Sequence, residues 1–170
     1  LACDRQEIEV LIALDEPAEA WKQAWVLFES SPGFSAFKVL HTLEERIGVQ
    51  DNALADKAEQ LLLQTCQQSK PSSFGFVSPV VLDEMLAFYL HQQQFDKALA
   101  WAKQHKSSPQ HLIELANAII QQQPDESAAL YHQVIFALLK QSNDTVYQRA
   151  IDLLLDLEQQ LKLKQEQSPE

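Results

Sequence analysis

The sequence predicts an all-α fold of stacked antiparallel helix hairpins, an α-solenoid of about nine helices. Apolar residues recur along most of the chain at i, i+3, i+4 and i+7, the period of a helix that buries one face. Proline, glycine or Asn-Asp breaks interrupt this period mostly every 15 to 20 residues, and no alternating strand pattern occurs. Glycine is scarce, with 3 residues among 170, which disfavours an all-β fold because such folds use glycine in their turns.

The pattern is clearest between Ser78 and Lys106, where two apolar stripes flank a short polar turn. Only three glutamines separate the stripes, so the two helices are expected to be antiparallel neighbours. Neither stripe can be buried alone, and each therefore needs the other and a further layer of helices. The stripes are Leu82, Met85, Leu86 and Tyr89, followed by Phe95, Ala98, Leu99 and Ala102.

Four helices, forming the first two hairpins, are predicted before this pair, within residues 1–68. Ser31 and Pro32 have the residue types of a helix cap and a first helical position. Gly48 is expected to end that helix in the left-handed conformation. Trp21 and Trp25 lie on the apolar stripe of the helix before it and are interpreted as core. The expected spans are 4–14, 17–29, 31–47 and 51–68.

The remaining helices are predicted within residues 78–164, after an inter-repeat loop at 69–77, and residues 165–170 are expected to fray. Ser108-Pro109 and Pro124 begin two of these helices. Asn143-Asp144 caps the last one. The whole chain is interpreted as one helical-repeat domain, 1–170. The stripe of the last helix is predicted to be Tyr147, Ala150, Ile151, Leu154, Leu157 and Leu161.

Charge and cysteine usage restrict the partners. The net charge is −11, with 13 basic and 24 acidic residues, which disfavours direct binding to nucleic acid or to anionic membranes. No apolar run reaches 18 residues, so no membrane span is expected. Cys3 and Cys66 have no metal-ligand spacing. We therefore expect a reducing, cytoplasmic location and no cofactor.

The acidic residues are concentrated at the N-terminal end. Residues 1–29 contain seven acidic and two basic residues, a net charge of −5. The chain begins without Met, so we expect it to be a piece of a longer protein, and this end is a candidate docking surface for a partner or an upstream domain. The alternative is that the acids keep a terminal repeat in solution. The candidate partner-binding residues are Glu7, Glu9, Glu16, Glu19 and Trp101.

Candidate catalytic and metal-binding groups are few. No HExxH motif occurs, and no His pairs at i, i+4 with another His or Cys. His105 and His111 flank a turn and are interpreted as an accidental surface pair. Asp152 and Asp156 lie at i, i+4, where carboxylates can bind a cation, but they are predicted on a solvated face. The sequence therefore predicts no metal site.

Two resemblances accompany these patterns. Tyr89, Phe95 and Ala98 have the offsets of a tetratricopeptide repeat, although Leu86 occupies a small-residue position. Residues 95–106, 112–120 and 124–161, with Ala98-Leu99-Ala100-Trp101-Ala102 and Asn143-Asp144, resemble the helical C-terminal region of bacterial SWIM zinc-finger proteins. Residues 19–48 are similar to the preceding repeats. The resemblance implies a CxC…CxH zinc domain upstream of the helices; this chain has neither motif, so no metal ligand carries over.

These observations favour a non-catalytic protein-interaction scaffold, a helical-repeat region of a larger bacterial protein. A second hypothesis is a regulatory region that docks on its own upstream zinc domain. A third is an enzyme with a site between helices, which would require a deep polar pocket. The candidate residues for that pocket are His41, His91, Asp83 and Glu84.

Overall fold

A computed structural model of the chain describes residues 2–48, 53–68, 79–140 and 144–167. Every regular element within those ranges is an α-helix, and consecutive helices pack on one another, which confirms the predicted all-α class. The nine helices of these ranges are α1 (Ala2–Ala13), α2 (Pro17–Ser30), α3 (Phe34–Ile47), α4 (Leu54–Gln68), α5 (Pro79–His91), α6 (Phe95–Gln104), α7 (Pro109–Ile119), α8 (Pro124–Leu139) and α9 (Asp144–Gln167).

The contacts divide the chain into two compact units, Leu1–Phe88 and Tyr89–Glu170. Each is described separately here, and the interpretation as a single repeat domain stays a prediction. The loop predicted at 69–77 lies outside the described residues. The last helix continues to Gln167, three residues into the segment expected to fray.

Aromatic rings form the centre of the first unit. Phe28, Phe37 and Phe88 are fully buried, one each from α2, α3 and α5. The ring centroids of Phe37 and Phe88 are 4.9 Å apart, and Phe28 meets Phe37 at 6.5 Å, both edge to face. Trp21 and Trp25 extend the series along α2 with centroids 6.2 Å apart, and both are half-buried. Contacts of this kind add about 0.5–1.5 kcal/mol per pair beyond the area they bury.

The start of α3 differs from the prediction. Ser31 follows the end of α2, and α3 begins at Phe34 after Gly33, which has no side chain to cap it. The carboxylate of Glu84 on α5 accepts the backbone N–H of Phe34 instead. The expected cap at Ser31 and Pro32 was therefore wrong, because a distant side chain satisfies the first turn of α3.

Other predicted boundaries agree with the structure. Gly48 ends α3 with φ of 67°, the left-handed conformation that glycine adopts without strain. Gln93 supplies the positive φ, 54°, in the predicted turn between α5 and α6. Ser108 caps α7, its Oγ accepting the His111 N–H at 3.5 Å, and Pro124 is the first residue of α8.

In the second unit, α7 and α8 bury the stripes predicted for them, whereas α9 does not. Ala150 is the one residue of the expected α9 stripe that is buried among those described. Tyr147, Ile151 and Leu154 are 42%, 49% and 51% exposed. The prediction for these three side chains was wrong because α9 packs on α8 through a different face. The buried stripes are Leu112, Leu115, Ala116 and Ile119 on α7, and Tyr131, Val134, Ile135 and Leu138 on α8.

A hydrogen bond identifies the face of α9 that meets α8. The hydroxyl of Tyr131, whose side chain is fully buried, donates to Asp156 Oδ2 at 2.7 Å. The side-chain amide of Asn117 on α7 is 2.5 Å from the same oxygen. A hydroxyl has one proton, so the amide completes the network by donating its N–H. Asp156 is thus half-buried and bonded, which corrects the prediction that it lies on a solvated face.

Candidate functional site

A groove between α1 and α3 is the candidate functional site. α2 packs against both helices, and α1 and α3 leave a cavity of about 460 Å³ between them. That volume lies within the range of ligand-binding clefts, about 300–1,000 Å³. The lining residues are Ile8, Glu9 and Ile12 from α1, and Ser35, Lys38, Val39, Thr42, Leu43 and Arg46 from α3.

Helical spacing explains which side chains form the groove. The six residues of α3 follow one another at intervals of one, three and four, so they share one face over three turns. Ile8 and Ile12 are one turn apart on α1 and face them. Ile8 and Leu43 are 3% and 2% exposed and form the floor. The half-buried Ile12 and Val39 form the apolar walls.

Three exposed charged residues border this apolar floor. Arg46 Nη1 lies 2.8 Å and 3.1 Å from the two carboxylate oxygens of Glu9, which joins α1 to α3. Lys38 Nζ lies 5.1 Å from the centroid of the Phe34 ring. Two cations and one carboxylate thus border a groove in a chain of net charge −11.

The groove can therefore hold an apolar segment that also carries a carboxylate. The distance along α3 from Ser35 to Arg46 is about 16 Å, or three turns of helix. An amphipathic helix that lies in such a groove places anchors at i, i+3, i+4 and i+7. Lys38 is placed to meet a carboxylate on that segment. Arg46 can do so only in competition with Glu9.

Two smaller or more open cavities occur in the same unit. One of about 170 Å³ lies between α1 and α2 and is lined by Glu7, Gln23 and Val26, among others. Another, of about 430 Å³, lies where α2 and α4 approach each other near Pro32. Neither has the aliphatic floor of the α1–α3 groove.

The four acids singled out from the sequence do not form one surface. Glu9 lines the α1–α3 groove, whereas Glu7 lines the cavity on the opposite flank of α1. Glu19, in the first turn of α2, is 3.3 Å from Lys22. Glu16 is exposed and immediately precedes α2. Glu9 and Glu19 thus have cationic partners within the chain.

Trp101 is a half-buried residue of α6. Its ring meets Tyr89 of α5 edge to face at 6.3 Å between centroids, and His105 at 4.1 Å. These contacts lie within its own helix hairpin. Trp101 thus contributes to the packing of α5 against α6 and keeps part of its surface exposed.

The residues proposed for a polar pocket have other contacts. Glu84 caps α3, and His41 lies against Phe37 with ring centroids 5.9 Å apart. None of the three cavities described above is lined by His41, Asp83, Glu84 or His91. His111 Nδ1 lies 3.0 Å from the Ser108 hydroxyl. Among the described residues, no group of three His, Cys, Asp or Glu side chains is arranged to hold a metal ion.

Sequence reasoning missed the groove. Val39 and Leu43 were assigned to one buried stripe, although Val39 forms a wall of the groove. The partner of Arg46 is 37 residues away, and no local pattern marks such a pairing. Lys38 and Arg46 do follow the apolar spacing of α3, eight residues apart, and that spacing was the available signal.

No helix of the described residues is long and apolar enough to span a membrane. Comparison of the sequence with protein-family models, with curated proteins and with solved structures found no match.

Proposed function

We propose that this chain is a non-catalytic interaction scaffold that binds a short apolar segment of a protein partner in the α1–α3 groove. The observation that supports the proposal is the groove itself, which has an aliphatic floor, charged borders and a length of three helical turns. Its lining offers anchors and charges, whereas acid-base or nucleophilic catalysis needs groups within hydrogen-bonding reach of one another. The resemblance to SWIM zinc-finger proteins supports placing the scaffold in a larger bacterial protein.

The charges of the groove favour a particular partner chemistry. A segment with apolar side chains one turn apart would place them on Ile8 and Leu43. A carboxylate beside those anchors would meet Lys38, and removing water from that contact would strengthen it. The acidity of the whole chain favours a protein over a nucleic acid. The cysteine pattern favours a reducing cytoplasm.

The regulatory hypothesis survives in a narrower form. Because Glu9 and Glu19 already have cationic partners, Glu7 and Glu16 are the better candidates to meet a basic upstream domain. Replacing Glu7 and Glu16 with Lys should abolish such docking, whereas replacing Glu19 alone should weaken it only slightly. The enzyme hypothesis has less support, because Glu84 and His41 serve capping and packing.

A displayed library of 12-residue peptides, selected against the full chain, tests the groove. The enriched peptides should combine apolar residues at i and i+4 with an Asp or Glu. Thr42→Trp should reduce their affinity at least tenfold, because Thr42 is exposed within the groove and a large ring there would fill it. Fluorescence anisotropy of labelled peptides measures the dissociation constants.

Val10→Trp is the matched control, since Val10 is exposed on α1 but does not line the groove. It should leave peptide affinity unchanged. Lys38→Glu should shift the selection from acidic to basic peptides. Enrichment of peptides that bind Thr42→Trp as well as the parent chain would contradict the proposal.

A further inference from the structure

The outward face of α9 is the largest apolar surface on one helix of the second unit that its packing leaves exposed. Ile151 and Leu154 are 49% and 51% exposed, and Leu155 is 58% exposed. Tyr147, at 42%, extends this face by one turn towards the start of the helix. We call these four residues the α9 patch. They stand at i, i+4, i+7 and i+8, the spacing with which helices pack on other helices.

We propose that the α9 patch binds the same patch of a second copy of this chain, so that two α9 helices pair in an antiparallel dimer. A two-fold interface requires one surface to be complementary to itself. The patch is nearly symmetric along the helix about Ile151, with Tyr147 four residues before it and Leu155 four residues after it. Antiparallel pairing therefore sets Tyr147 opposite Leu155, and Ile151 opposite its equivalent.

The polar residues around the patch favour an uncharged occupant. Glu158 and Lys162 continue the same face beyond Leu155 and pair with each other at 2.5 Å. On one flank, Gln148 donates to Asp152 Oδ1 at 3.0 Å. These groups have partners within α9 and do not require opposite charges from the occupant. An apolar strip with a polar border is the usual arrangement of a binding surface.

The size of the patch sets the strength of the association. Residues 147–162 span about 24 Å of helix, and a helix is about 10–12 Å wide. The pairing would therefore cover roughly 250–300 Å² on each copy, against about 800 Å² in a stable interface. We expect a weak dimer with a dissociation constant on the order of 100 µM. Because each copy carries a net charge of −11, added salt should strengthen the dimer by screening repulsion.

Sedimentation equilibrium of the full chain between about 10 µM and 1 mM tests the pairing. The parent should shift from monomer to dimer over this range, and the midpoint should fall at higher salt. Leu154→Glu places two carboxylates in the pairing and should raise the dissociation constant at least tenfold. Val10→Glu, on an exposed residue of α1, is the matched control and should leave it unchanged.

Cross-linking tests the orientation. In a Cys3→Ser background, Ile151→Cys should oxidise to a disulfide dimer at least tenfold faster than Gln159→Cys, because antiparallel pairing brings the two equivalents of residue 151 together. Cys66 is buried and serves as the internal control. A parent that stays monomeric at 1 mM would overturn the proposal and leave the patch to a different protein. A dimer that Leu154→Glu does not weaken would overturn it equally.

Discussion

Helices α8 and α9 have similar apolar spacings and opposite fates. α8 buries all four residues of its predicted stripe, including Ile135, at 6% exposure. α9 leaves Ile151 of its stripe 49% exposed, although it too packs on α8. The difference is that α8 lies between α7 and α9, whereas α9 packs on α8 through a face that includes Ala150 and Asp156.

The comparison separates two kinds of information in a helical pattern. Periodicity shows which side chains share a face, because that follows from 3.6 residues per turn. It does not show how many neighbours the helix has. A helix with neighbours on two sides buries most of its apolar residues, and a helix with one neighbour must expose some of them.

The largest expected effect comes from matched truncations on the two helices. Ile135→Ala should lower the free energy of unfolding by about 2–5 kcal/mol, because it opens a cavity in the core. Ile151→Ala should change it by less than about 0.5 kcal/mol, the usual range for surface positions. Urea denaturation at about 5 µM protein, where the proposed dimer is dissociated, measures both values.

Equal costs for the two isoleucines would break the comparison, since they would mean that α9 has a second neighbour within the chain. Ile151→Thr provides a control with a β-branched side chain of similar shape. It too should cost little, because a hydroxyl at an exposed position remains hydrated.

The bond between Tyr131 and Asp156 sharpens the comparison, because it joins the buried side of α8 to the packed side of α9. Tyr131→Phe should cost about 1–3 kcal/mol, since it leaves a partly buried carboxylate without its donor. Asp156→Asn keeps an acceptor for the hydroxyl and should cost less. Denaturant midpoints at pH 7 give both values, and a neutral Tyr131→Phe would show that the bond does not hold α9.

The same residue makes stability depend on alkaline pH. Burial, followed by the hydrogen bond and negative charge of Asp156, raises the pKa of the Tyr131 phenol above its ordinary value. The unfolded phenol ionises near pH 10, about the model value, whereas the folded one stays protonated. Its contribution is therefore complete below about pH 10 and is lost as the pH rises further. Tyr131→Phe should make the decline in stability above pH 10 shallower.

The smallest expected effect extends the comparison to the exposed ion pair across the α1–α3 groove. Glu9→Gln should lower stability by about 0.2–1 kcal/mol, because both side chains are solvated. The difference should shrink at 0.5 M salt, where screening is strong. Glu7→Gln, on the other flank of α1, is the control and should not show this salt dependence. A loss above about 2 kcal/mol would mean that the pair organises α1 against α3.

Most of the helices could be predicted because their boundaries are local. Pro124, Gly48 and Ser108 act through their own backbone geometry or through a neighbour three residues away. The start of α3 could not be predicted, since its acceptor is Glu84, fifty residues along the chain. The exposure of α9 could not be predicted either, because it depends on the number of packed neighbours.

The candidate site was largely beyond the sequence for a related reason. Glu9 was singled out for its charge, but its partner Arg46 becomes visible only when α1 and α3 are placed beside each other. The groove exists because α2 holds those two helices apart. Its width depends on the packing of α2 against each neighbour, and apolar spacing along one helix carries no information about that distance.

The cap that Glu84 provides has a consequence for the order in which the chain folds. During synthesis, α3 emerges about fifty residues before the carboxylate that accepts the Phe34 N–H. The first turn of α3 is therefore incomplete until α5 has been made and has docked. Amide hydrogen exchange at Phe34 should report the arrival of α5, and a chain released before residue 84 should leave that amide exchanging rapidly. A local capping serine would have fixed the same helix end within microseconds.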